Sequence, residues 1–178
     1  TGFTGEKGYE IYVRDTHENA EKVWNKVLED GEEFGLMVIA PAHHRRIAAG
    51  ILSWGQDLDH ETSPFQVNLA YQVPRNKKSD YIGKAELERQ RDVIDSGEAP
   101  FKMKMVGITL GGKEITDYAP DFWLVADTDG NDMGYVTSPW WSPELETNIA
   151  LAWVPWSSSE VGTKLLVKLP DEYSVTPG

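Results

Sequence analysis

The chain has 178 residues, 40% apolar and 11% aromatic, enough to bury a core and too apolar for a disordered polymer. Its 29 acidic and 17 basic residues give a net charge of -12, a field that repels phosphate backbones and excludes broad nucleic-acid binding. Cysteine is absent, which excludes disulfides, thiolate metal sites and a cysteine nucleophile. No apolar run approaches the roughly 20 residues that cross a bilayer, so no membrane partner is expected, and a cytoplasmic location is the default.

The first predicted element follows a glycine-punctuated turn. Tyr9-Glu10-Ile11-Tyr12-Val13 alternates like a half-buried strand and carries the carboxylate of Glu10 between aromatics. Asp15 or Thr16 can cap a helix whose Ala20, Val23, Trp24, Val27 and Leu28 recur on one face, and Gly31 or Gly35 ends it. Leu36 to Ala40 resembles a short buried strand. Pro41 suits the first turn of a second helix that Gly50 closes.

Residues 51 to 64 lack a period and predict a loop, and Phe65 to Val73 alternates weakly enough for a strand. Ser79 or Asp80 can cap a third, charged helix through ELERQRD. Past Gly97-Glu98-Ala99-Pro100 the texture changes to short β runs: 103 to 110, 122 to 126, 133 to 137, 149 to 154 and 163 to 169. Turn signals, Ser138-Pro139 among them, separate these runs as in a small antiparallel barrel or sandwich. The fold class is therefore α+β, with an α+β segment over 1–97 and an all-β module over 98–178.

Chemistry-bearing residues are few. Glu10 among Phe3, Tyr9 and Tyr12 can grip a flat heterocycle by accepting hydrogen bonds from its N–H groups, although a solvated strand carboxylate has the same pattern. His43-His44-Arg45-Arg46 is a basic run whose adjacent histidines diverge by about 100° on a helix. That divergence argues against zinc and leaves a solvated face or an anion anchor. Asp57, Asp59, His60 and Glu61 lack the glycine offset and terminal glutamate of a calcium loop. Trp140, Trp141, Trp153 and Trp156 suit the core and lid of a β module better than an exposed patch.

With these segments in order, the chain resembles the folate-dependent T-protein family, which includes the aminomethyltransferase of the glycine cleavage system and related tetrahydrofolate-dependent demethylases. Thr1 to Val13 is similar to the family's R-T-G-Y-T-G-E-D-G-Y-E element, and Arg46 to Gly50 to its R-L-E-A-G. Trp54 to Asp59 resembles Y-G-x-D-x-D, and Asp80 to Lys84 resembles D-F-I-G-K. Gly134 to Ser138, Ser142-Pro143, Ile149 to Ala152 and Gly162-Thr163 follow in family order.

The resemblance implies a partial folate-binding α/β domain followed by a small antiparallel β-barrel, in a fragment that is inactive alone. Its catalytic residue is expected in a missing N-terminal part. Tetrahydrofolate is the implied cofactor, held by Glu10, Phe3, Trp54 and Arg45, and no metal is implied. The family's ligand-binding arginine falls on Ala42, which leaves Arg45 or His43 to compensate. That departure ranks a demethylase-type one-carbon transferase first, with the glycine cleavage aminomethyltransferase or a non-catalytic folate-binding adaptor as alternatives. The donor partner is a small-molecule methyl donor or a lipoyl-carrier protein, and an upstream flavin-binding region would mark a larger oxidase.

Overall fold

The computed structural model describes residues 2–39 and 43–175. Three helices, α1 (Thr16–Gly31), α2 (His43–Ala48) and α3 (Lys84–Asp95), precede five strands. These are β1 (Met103–Leu110), β2 (Trp123–Ala126), β3 (Asp132–Ser142), β4 (Thr147–Pro155) and β5 (Leu166–Val167). The strands form one antiparallel sheet in the order β1-β4-β3-β2-β5, a half-barrel with β1 and β5 at its edges. Among the described residues no helix is long and apolar enough to cross a membrane.

The sheet is buried on both faces. Leu110, Ile115, Trp123, Val125, Val136, Ala150, Ala152 and Val154 fill one side. Met105, Ile149, Leu151 and Trp153 fill the other, against Ile47 and Val67 from the helical half. β4 lies between β1 and β3, and an apolar cluster packs on each of its faces, so Ile149 to Val154 is an unbroken apolar run rather than an alternation. Each fully buried Val, Leu or Ile side chain contributes roughly 1.5–3 kcal/mol.

The β runs of the second half lie where the sequence places them, but Ser138-Pro139 is not a turn. It sits inside β3, just past a bulge between Val136 and Ser138. β2 pairs with β3 only as far as Val136, so Pro139 occupies a stretch with one edge free of a strand, where a missing N–H is tolerated.

The first half departs further. Residues 7–13 form no strand, because no described segment pairs with them, and Tyr9 and Tyr12 are each 85% exposed. Residues 36–39 are likewise unpaired and exposed, while Ala40 and Pro41 lie outside the described residues. Residues 65–73 are turns and a short 3-10 helix instead of a strand, because Asn68 adopts φ 61° and breaks the extension. This segment still buries Phe65, Val67 and Val73, and it covers part of the β1 edge. Met105 donates its N–H to the Gln66 carbonyl at 2.8 Å, and Asn68 Nδ2 donates to the Met105 carbonyl at 2.9 Å.

Among the helices, α1 forms as its period predicts, yet none of its residues is buried, since no described element covers its apolar face. Asp15 occupies the N-cap position without a side-chain cap, and Gly35 closes the following turn with φ 71°. α3 starts at Lys84 behind Gly83, because the Asp80 carboxylate is engaged locally by the Tyr81 N–H at 3.0 Å.

One glycine is imposed by packing: a Cβ at Gly134 would lie 2.1 Å from the Trp153 carbonyl oxygen. Gly134→Ala must push β3 from β4 and is expected to lower unfolding free energy by about 1–3 kcal/mol in urea denaturation. Gly107→Ala meets nothing within 4 Å and should leave the midpoint unchanged. Equal behaviour of the two variants would refute the close approach.

Candidate functional site

α2 organises the site. It is only six residues long, and it turns Arg46 and Ile47 inward while Arg45 faces out. Ile47 enters the apolar cluster with Met105 and Leu151, and Arg46 runs beside it into a polar pocket. Its guanidinium is 1% exposed and carries five donors, each with an acceptor. Nη1 donates to Asp57 Oδ2 at 2.7 Å and to the Ile51 carbonyl at 3.2 Å. Nη2 donates to Ser138 Oγ at 2.8 Å and to Gln56 Oε1 at 3.3 Å, and Nε donates to His43 Nδ1 at 3.3 Å.

Asp57, also 1% exposed, is equally saturated. Besides Arg46, its carboxylate accepts from the Ser53 N–H at 2.7 Å and from the hydroxyls of Thr137 and Ser138, each at 2.6 Å. Its carbonyl accepts from Trp153 Nε1 at 2.9 Å, and Gln56 Nε2 donates to the Thr137 carbonyl at 2.8 Å. Thr137 and Ser138 are consecutive, so a regular strand would send them to opposite faces. The bulge after Val136 lets both reach one carboxylate oxygen.

The residues named from sequence sit around this pair, to different degrees. Phe3, 45% exposed, has its ring 5.6 Å from the Arg46 guanidinium. The turn that carries it fits on α2 because Gly5 has φ 73° and comes so close to Ala49 that a Cβ would lie 2.5 Å from the alanine's. Arg45 is half exposed and approaches Glu6 at 3.9 Å. Trp54 is 68% exposed, on the loop held by Asp57. Glu10 is exposed and accepts a hydrogen bond from the Tyr12 hydroxyl, which raises that hydroxyl's pKa. No described contact joins Glu10 to Phe3, Arg45 or Trp54.

The basic run is therefore not a uniform solvated face: its last member is a buried ion partner, and its first is half buried. The His43 ring lies 4.5 Å from Tyr118 and 5.2 Å from Trp140, and burial with Arg46 nearby pushes its pKa below the ordinary value. Arg46, Asp57, Thr137 and Ser138 did not emerge from sequence reasoning. Their signal is the arginine that opens R-I-A-A-G and the first aspartate of W-G-Q-D-L-D, placed beside the Thr-Ser pair. Among the described residues no group of three or more His, Asp or Glu side chains is arranged to hold a metal.

Two family models match the sequence: the GCVT N-terminal domain over residues 1–77, and the glycine cleavage T-protein C-terminal barrel domain over 103–176. An aminomethyltransferase of Bacillus subtilis (strain 168) is 31% identical over 171 residues, covering 95% of this chain and 44% of that protein. One of Synechococcus sp. (strain WH7803) is 34% identical over 170 residues, covering 95% and 42%. The glycine cleavage system aminomethyltransferase T of Bartonella henselae superposes with a TM-score of 0.72 at 25% identity, covering 94% of this chain and 44% of that one. The chain thus spans less than half the length of these relatives.

Removing the Asp57 charge leaves Arg46 buried without a counter-ion. Asp57→Asn is expected to lower unfolding free energy by about 3–5 kcal/mol in urea denaturation. Glu86→Gln serves as the exposed comparison: hydrogen bonds from Arg89 and Gln90 hold the Glu86 carboxyl down to about 2, yet water screens the pair and the midpoint should stay put. A similar response from both variants would refute the central role of Asp57.

Proposed function

The chain belongs to the glycine cleavage T-protein family, and from that premise we propose that it works in tetrahydrofolate-dependent aminomethyl transfer. The observation that carries this reading is the similarity to aminomethyltransferases along 95% of the chain. Sequence reasoning ranked a demethylase-type relative first. The relatives matched here bear the aminomethyltransferase name, which supports the alternative, so the donor we propose is the aminomethyl arm of a lipoyl-carrier protein.

The residues present fit a pterin ligand in kind. Glu10 offers a carboxylate to ring N–H groups, Phe3 and Trp54 offer partly open aromatic faces, and Arg45 offers a half-exposed cation for an anionic tail. Tetrahydrofolate, when bound, supplies the N5 nitrogen that receives the one-carbon unit. The chain's own side chains act by binding and orientation: aromatic faces exclude water, and the carboxylate fixes the plane of the ring. We assign no catalytic residue among the described positions.

Glu10→Gln keeps the shape and removes the charge. A hydrogen bond to a charged group is worth about 1.5–3 kcal/mol, so tetrahydrofolate affinity of the whole protein should fall on the order of 10- to 100-fold in titration calorimetry. Thermal stability without ligand should hardly move, since Glu10 is exposed. Unchanged affinity would return Glu10 to the solvated surface.

A further inference from the structure

His43 occupies the first position of α2 and is half buried. Its ring meets Tyr118 edge-on, with an interplanar angle of 87°, and lies tilted at 33° against Trp140. Arg46 Nε donates to His43 Nδ1 at 3.3 Å. A guanidinium Nε always carries its hydrogen, so Nδ1 is the bare nitrogen and the neutral ring holds its proton on Nε2. The same Arg46 spends its remaining donors on Asp57, Gln56, Ser138 and the Ile51 carbonyl, and through Ser138 it reaches β3.

From this geometry we propose that His43 is a proton-sensitive latch: the neutral imidazole fastens α2 to β3 through Arg46, and a second proton on the ring loosens that joint. Protonation places an Nδ1–H against the Arg46 Nε–H, which turns an acceptor into a donor and sets two cations side by side. The groups facing the ring come from every element packed on it. α2 supplies Arg46, the 51–58 loop supplies Gln56 and the Asp57 carboxylate, the β1–β2 connection supplies Tyr118, and β3 supplies Ser138 and Trp140. Asp57 is the one charged group among these that favours the imidazolium, and its oxygens are already taken by Arg46, Ser53, Thr137 and Ser138. The Trp140 face offers a protonated ring a weaker attraction that opposes the loosening.

The linkage has a definite sign. Burial first, then the Arg46 charge, lowers the folded-state pKa from 6.5, and Asp57 opposes the shift more weakly. As pH falls through 6.5 the unfolded chain takes up the proton before the folded one does. Stability is therefore complete above that pH, declines below it, and levels off under the folded-state value.

Two measurements on the chain decide the proposal. The first is an NMR titration of the His43 Cε1 proton, assigned with His43→Asn, in which the Trp140 indole signal follows the same transition. The second is urea denaturation of the parent and of His43→Asn between pH about 8 and about 5. Asparagine keeps an acceptor oxygen where Nδ1 lies but cannot titrate, so the difference from the parent separates His43 from His17, His44 and His60. The expected result is a His43 midpoint below 6.5 together with a parent-minus-variant stability difference that changes only below that pH. A midpoint at or above 6.5, or a difference that stays constant across the range, overturns the latch. Should the variant fail to fold, the His43 signal is assigned on the parent protein from its proximity to the Tyr118 and Trp140 rings, so the titration still decides the proposal.

Discussion

The structure hangs on a buried ion pair that joins pieces distant in sequence. Arg46 and Asp57 sit 11 positions apart, and Ser138 is 92 beyond Arg46, yet the three meet within hydrogen-bond reach. Taking two charges out of water costs several kcal/mol per ion, and only complete hydrogen bonding offsets it. Here it is complete: five acceptors meet the guanidinium and four donors meet the carboxylate, and among the described residues no buried side-chain polar atom is left unpaired. Such a pair adds little stability over an apolar core of the same shape. Its value is registry, because one arrangement of α2, the 51–58 loop and β3 satisfies every atom and a slipped one strands a charge.

That constraint explains two oddities of the sheet. The bulge in β3 stands where two consecutive hydroxyls must face the same carboxylate, which a regular strand forbids. Trp153 lies on the covered outer face of β4 and has an N–H to place, and it places it on the Asp57 carbonyl at 2.9 Å. Apolar packing from Ile47 and polar bonding from Arg46 then act on adjacent residues of one short helix. α2 is too short to be stable by itself, so tertiary contacts hold it.

How much of this was legible in the sequence follows the range of the interactions involved. The β runs of the second half could be read because they are apolar and punctuated by signals such as Gly111-Gly112 and Asp127-Thr128-Asp129-Gly130. Two of the pairings, β2 with β3 and β3 with β4, also join strands consecutive in the chain. Tyr9 to Val13 and residues 36–39 have strand-like patterns and form no strand, since a pattern states a preference while a strand needs an edge to bond. In residues 65–73 the alternation did report burial of Phe65 and Val67, and the left-handed Asn68 decided the backbone against a strand. At the site, Phe3 and Arg45 were legible as chemistry. Arg46 and Asp57 were not, because a charge in a charged run looks solvated until the partner 11 residues away is placed beside it.

The same pair connects the fold to the candidate ligand face. Phe3 is only half buried, and its ring is oriented by the guanidinium at 5.6 Å, a contact worth about 0.5–1 kcal/mol at an exposed site. Alone that would leave the ring loose. The guanidinium cannot follow it, however, since its five hydrogens are already fixed by Asp57, Ser138, Gln56, Ile51 and His43. A fully bonded buried cation thus gives direction to a partly exposed aromatic, while the close fit of Gly5 on Ala49 sets the distance. An apolar residue at position 46 would fill the space and keep the helix packed, but it would remove the direction. Under the proposed function, orienting a flat ring is what that direction would serve, and a costly buried charge is what supplies it.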